Sequence, residues 1–148
     1  MKLHLLNLPE LNIAVFAFLM NFFWEVQQMP FFRLPLELSC QGRILNCTVA
    51  TIGDVGIALL GFWTVGAIYR SRHWLNCPRW QQVGIFVGVG IIITIIFEAL
   101  ATGVLNQWEY ASFMPTLPWL GTGVLPILQW TLIPPIIIWF AKRQLASA

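Results

Sequence analysis

Four apolar runs, at about 11–30, 47–69, 83–105 and 120–140, leave this chain few folds to choose from. Each is close to the roughly 20 residues a helix needs to cross a hydrocarbon core about 30 Å thick, and a helix satisfies its own backbone there without water. Composition agrees: of 148 residues 58% are hydrophobic and 9% charged, and the mean hydropathy is +0.75, values foreign to a soluble globular domain. The sequence therefore predicts an all-α four-transmembrane-helix bundle, a single integral membrane domain over 1–148 with no room for a soluble one. The first run carries Asn21, Trp24 and Glu25 where a signal peptide would have small residues for cleavage, so it reads as a retained anchor.

Orientation follows from the cations. Four crossings put Lys2, Arg70, Arg72, Arg79, Lys142 and Arg143 on one side and only Arg33 and Arg43 on the other. The positive-inside rule then places both termini in the cytoplasm, and the expected address is a bacterial inner membrane. The positives are too scattered to hold nucleic acid. Trp63, Trp74, Trp80 and Trp139 would mark the cytoplasmic interface, with Trp24, Trp108, Trp119 and Trp130 toward the outer one. Small residues suggest where helices approach: Gly53, Gly56, Gly84, Gly88 and Gly90, with Gly84-x-x-x-Gly88 the most suggestive spacing. Pro134 and Pro135 fall inside the fourth run and predict a kink there, because proline removes an amide donor and crowds the preceding turn.

The polar residues within the runs share a depth. Glu25 lies near the outer end of helix one, Asp54 about seven residues into helix two, Glu98 about seven from the outer end of helix three, and Gln129 about nine into helix four. At about 1.5 Å per residue, all four fall within roughly 8–14 Å of the outer interface. Asn21, Glu25 and Gln28 stand at i, i+4 and i+7, one face of a helix bordered by Trp24. An ionised carboxylate in hydrocarbon costs about 2.5–3.5 kcal/mol even on the lenient insertion scale. Three at one level need an arginine folded inward, retained protons or a bound cation, and Arg33 and Arg43 are the only cations nearby.

Two readings follow. In the first, Glu25, Asp54 and Glu98 are catalytic acids of a cavity toward the outer leaflet, with Asn21, Trp24, Gln28, Tyr110, Gln129 and Trp130 contacting a small apolar, isoprenoid-like lipid. A carboxylic acid out of water can protonate an alkene or epoxide, and aromatic faces stabilise the cation that results. In the second, the same groups are interhelical hydrogen bonds, worth about 0.6 kcal/mol each, within a non-catalytic accessory or assembly subunit. Its partner would be a larger membrane complex or a second copy of the chain. No cofactor is implied. A transition metal is disfavoured because His4 and His73 both fall on the cytoplasmic side, away from the layer.

Cys40 and Cys47 lie in or beside the first outer loop, where a disulfide and free thiols are both open, while Cys77 is expected to be cytoplasmic. There is no C-x-x-C, G-x-S-x-G, H-E-x-x-H or Walker loop. Glu109 and Tyr110, in "QWEY", sit just outside helix three and could gate the layer.

At "NFFWEVQQMPFF", "TIGDVGIALL", "FEALATGVLNQWEY" and "MPTLPWLGTGVLPILQW" the chain resembles small bacterial four-span integral membrane proteins with no assigned activity. That resemblance implies a fold and an inner-membrane address, and carries no mechanism with it.

Overall fold

The structure, a computed structural model, describes residues 7–34 and 37–147. Lys2 and His4 lie outside the described residues. Four helices account for most of the chain: α1 (Pro9–Gln28), α2 (Cys40–Ile68), α3 (Trp80–Ala99) and α4 (Val124–Ser147). α3 widens into a π-helical turn at Leu100–Val104. Two short strands, β1 (Phe32–Arg33) and β2 (Glu109–Tyr110), pair antiparallel, Phe32 opposite Tyr110 and Arg33 opposite Glu109. Each helix packs on its neighbours in sequence, and α4 closes the ring against α1.

Three of the four helices, Cys40–Ile68, Trp80–Val104 and Val124–Ser147, are long and apolar enough to cross a membrane, the architecture of a membrane protein. α1 falls short on that measure, and its burial pattern explains why. Asn12, Asn21 and Gln28 face the interior, whereas Val15, Leu19, Phe23 and Val26 face out. Its polarity is spent inside the bundle. The other helices follow the same inverted rule, with Thr51, Asp54, Gln82, Thr94, Glu98 and Gln129 buried while Ile52, Leu60, Ile92, Phe97, Leu132 and Ile136 are exposed. A protein surrounded by water would reverse it.

Helix ends differ from the expected ones for local reasons. α2 starts at Cys40 rather than near residue 47 because Ser39 caps it, its hydroxyl accepting from the Gly42 N–H at 3.1 Å. At its far end Arg70 takes a left-handed conformation (φ 50°). The Ser71 N–H reaches the Gly66 carbonyl at 3.0 Å and the Arg70 N–H that of Ala67 at 3.3 Å, a Schellman stop without glycine. α4 begins at Val124, later than expected, because residues 115–123 form a tight loop. Within it Gly121 has φ 66°, the Gly121 N–H meets the Leu117 carbonyl, and the Val124 N–H that of Pro115 at 2.8 Å.

One half of the bundle is filled by apolar side chains: Phe62, Trp74, Phe86, Ile137 and Ile138 are buried, with Phe16 stacked on Phe140 at 5.3 Å. Trp74, expected at an interface, is in this core, its indole N–H donating to the Phe62 carbonyl at 3.2 Å. Trp63, Trp80, Trp119 and Trp139 do face outward. The close approaches are at Gly90 and Gly61. A Cβ on Gly90 would stand 1.9 Å from the Trp130 ring, and one on Gly61 3.2 Å from that of Phe86. A Cβ on Gly53, Gly56, Gly84 or Gly88 would meet nothing within 4 Å among the described residues, so the Gly84-x-x-x-Gly88 spacing marks no close helix approach there.

Candidate functional site

The other half of the bundle holds the polar layer. Its centre is Gln129, buried on the first turns of α4. The Gln129 Nε2 donates to Asn21 Oδ1 on α1 at 2.9 Å and to Asp54 Oδ2 on α2 at 2.9 Å. Glu25 Oε1 lies 3.5 Å from the same nitrogen. An amide nitrogen has two hydrogens, so the third contact is the long one, and Glu25 Oε1 takes its short bond from Gln28 Nε2 at 2.8 Å. Gln28 Oε1 in turn accepts from the Trp24 indole at 3.0 Å, and Asn21 Nδ2 is tied to the Ala17 carbonyl at 2.9 Å. Because the Glu25 and Asp54 oxygens touch one nitrogen, these two acids share one level.

Glu98 forms the second group. The Tyr110 hydroxyl makes a short hydrogen bond to Glu98 Oε2, and the Trp108 indole approaches the same oxygen at 3.5 Å. The tyrosine is held from behind, since the Gly123 N–H donates to its hydroxyl at 3.0 Å. Gly123 can be nothing larger without displacement: a Cβ there would lie 2.6 Å from the Met114 methyl and 3.2 Å from the Tyr110 ring. Phe32 packs on Tyr110 at 5.5 Å and Phe31 on Phe113 at 5.3 Å, so the tyrosine that bonds Glu98 belongs to an aromatic cap on this end of the bundle. Burial, followed by the bond to Glu98, raises the Tyr110 hydroxyl above the ordinary tyrosine range.

Asp54 and Glu98 are each 9% exposed, and Glu25 is half-buried. A common pattern runs through the bonds described: one oxygen of each acid is engaged, Oε1 of Glu25, Oδ2 of Asp54 and Oε2 of Glu98. Neither Arg33 nor Arg43 turns inward. Arg33 pairs with Glu109 across the β1–β2 pair at 3.2 Å, both exposed, and Arg43 is directed to the Leu38 carbonyl at 3.4 Å. Among the described residues no group of three or more His, Cys, Asp or Glu side chains is arranged to hold a metal ion.

Of the residues singled out in the sequence, Asn21, Trp24, Glu25, Gln28, Asp54 and Gln129 come together in one network, and Glu98 and Tyr110 in its neighbour. Trp130 does not join them. It is buried in the apolar core over Gly90, one residue along α4 from Gln129 and so directed elsewhere. Cys40 and Cys47 are free thiols. Both lie on α2 seven residues apart, about 10 Å of rise, beyond the span of a disulfide. Trp108 and Gly123, which fix Glu98 and Tyr110, carried no signal of that role; only the neighbouring "QWEY" pointed to this stretch.

No family model, curated protein or solved structure matches the chain, which leaves the site's own geometry to carry its interpretation.

Proposed function

We propose that the chain crosses a bacterial inner membrane four times, with both termini cytoplasmic, and binds or modifies a small apolar, isoprenoid-like lipid by proton transfer from its acid layer. α1 counts as a crossing because its polar side chains are internal and its outer face is apolar. Pairing of Arg72 with Glu10 sets the α2–α3 turn beside the start of α1, and pairing of Arg33 with Glu109 sets the other two connections together at the far end. The first end carries more of the positive charge, which favours it as cytoplasmic. Pro134 and Pro135 stand within α4 and leave the carbonyls of Trp130 and Thr131 without their helical donors, the condition for a kink.

The observation that carries the functional reading is the burial of carboxyl groups from three helices, Glu25 and Asp54 at Gln129 and Glu98 at Tyr110, each with one oxygen engaged and none paired with a cation among the described residues. An acid so held presents its other oxygen as a proton carrier. In the proposed reaction Glu98 gives that proton to an alkene carbon or epoxide oxygen, the aromatic cap faces the cation, and loss of a neighbouring C–H proton to the carboxylate restores the acid. Isomerisation of this kind needs no other reactant. Tyr110 and Trp108 hold Glu98 in place for it.

A second reading, a non-catalytic accessory or assembly subunit, is favoured by one observation: the amides of Asn21, Gln28 and Gln129 satisfy one another and the acids, as structural glue would. Native mass spectrometry of the protein extracted with its own lipids separates the two. The first predicts a bound apolar lipid that is lost in Glu25→Gln, Asp54→Asn and Glu98→Gln variants accumulating normally in the membrane. Absence of such a lipid, together with loss of the folded protein in those variants, contradicts it and leaves the second.

A further inference from the structure

At the end of the bundle opposite the acid layer, the turn between α2 and α3 encloses an open depression of about 430 Å³, within the roughly 300–1,000 Å³ of small-ligand sites. Its lining includes Tyr69, Ser71, His73, Asn76, Arg79 and Gln82, over a floor of buried Trp74. From this we infer a second site, for a phosphate group, most simply the headgroup of an anionic phospholipid. The site is independent of the proposed chemistry in the acid layer.

Three observations support it. Arg79 meets no carboxylate among the described residues, while its neighbour Arg72 is committed to Glu10 at 2.6 Å. A free guanidinium in a concave polar surface suits phosphate, which it grips with two parallel bonds. Gln82 is 94% buried yet only half used: its Oε1 accepts the Arg79 N–H at 2.8 Å, whereas among the described residues its Nε2 donates to nothing, although it lines the depression. That leaves an unused donor on a buried residue that lines the same depression as the arginine. Trp80, 88% exposed next to both, supplies the ring that prefers the headgroup level of a membrane. The Schellman stop at Arg70 turns the chain so that Tyr69 and Ser71 on either side line the same depression.

The test uses the full chain in nanodiscs of equimolar phosphatidylcholine and phosphatidylglycerol, with lipids retained after detergent release counted by native mass spectrometry. The expected result is selective retention of phosphatidylglycerol by the wild type, reduced about tenfold by Arg79→Gln, the loss of one charge-assisted pair. Arg143→Gln, which removes a cation stacked on Trp139 at the same end, leaves retention unchanged. If Arg79→Gln does not accumulate, Arg79→Lys, which keeps the charge and loses the fork, gives an intermediate loss. Inorganic phosphate titrated in phosphatidylcholine-only nanodiscs is the second arm, and Arg79-dependent binding there without lipid selectivity assigns the site to a soluble phosphate. The inference is overturned if neither probe binds in an Arg79-dependent way, or if the Arg79 and Arg143 variants lose lipid equally, the mark of diffuse charge attraction.

Discussion

At the scale of single residues, Gln129 is the one on which most of the polar layer depends. It serves two short bonds to different helices, so replacing it with leucine leaves Asn21 and Asp54 buried without their donor. Each stranded polar group costs about 1–3 kcal/mol, and Gln129→Leu is expected to lower stability by about 2–4 kcal/mol in thermal unfolding in detergent. Asp54→Asn retains an oxygen for the same bond and should cost clearly less. A double-mutant cycle between the two positions checks the pairing itself. Tyr110→Phe removes the hydroxyl that links Gly123 to Glu98, and by the same reasoning is expected to cost about 1–2 kcal/mol. If instead Tyr110→Phe leaves the melting temperature unchanged, the aromatic cap does not depend on that hydroxyl.

At the scale of helices, packing depends on where side chains are missing. Gly90 is pressed under Trp130, so Gly90→Ala must displace a buried indole, and overpacking of this sort costs about 1–3 kcal/mol. Gly84→Ala and Gly88→Ala meet open space and are expected to be neutral or to stabilise α3 by up to about 1 kcal/mol. The three unfolding curves together test the assignment, and equal effects would contradict it. Arg70 holds a left-handed turn that glycine adopts without strain, so Arg70→Gly should stabilise by about 1 kcal/mol. This scale also shows what the sequence could and could not reveal. The helices were legible because hydrocarbon demands long apolar runs, and the meeting of Glu25, Asp54 and Gln129 because helical rise converts residue number into distance. Residue number says nothing of rotation between helices, so Trp130 read as part of the layer when it belongs to the apolar core. The Schellman stop at Arg70 was hidden because arginine stands where glycine usually signals it, whereas Ser39 was a visible cap.

At the scale of the molecule, what joins the ends of the helices comes from distant sequence. The β1–β2 pair brings together residues on either side of two helices, and nothing local in "PFFR" or "QWEY" encodes that pairing. At the other end the exposed Arg72 holds the Glu10 carboxyl below its ordinary range through a direct hydrogen bond. A carboxyl lowered on folding stabilises the native state above its unfolded pKa, and that contribution is lost as pH falls through the folded value. The wild type should therefore lose a small, salt-sensitive increment of stability below about pH 4.5, and Arg72→Gln should remove that increment. Unfolding midpoints measured from pH 7 downward, at low and high salt, read it directly. A pH response unchanged by Arg72→Gln would count against the pair as its source.

Central to the site is the meeting of Glu25 from α1 and Asp54 from α2 at Gln129 on the inside of the bundle, with Asn21 beside them. The most direct measurement is copper-catalysed cross-linking in native membranes of paired cysteines introduced into a chain whose own three cysteines are replaced. Pairs at 54 and 129 and at 21 and 129 are expected to cross-link within one chain, while pairs that combine 129 with outward-facing position 23 stay reduced. Cross-links through position 23 with none at 54 or 21 would place Asp54 and Asn21 away from Gln129 and contradict the shared layer.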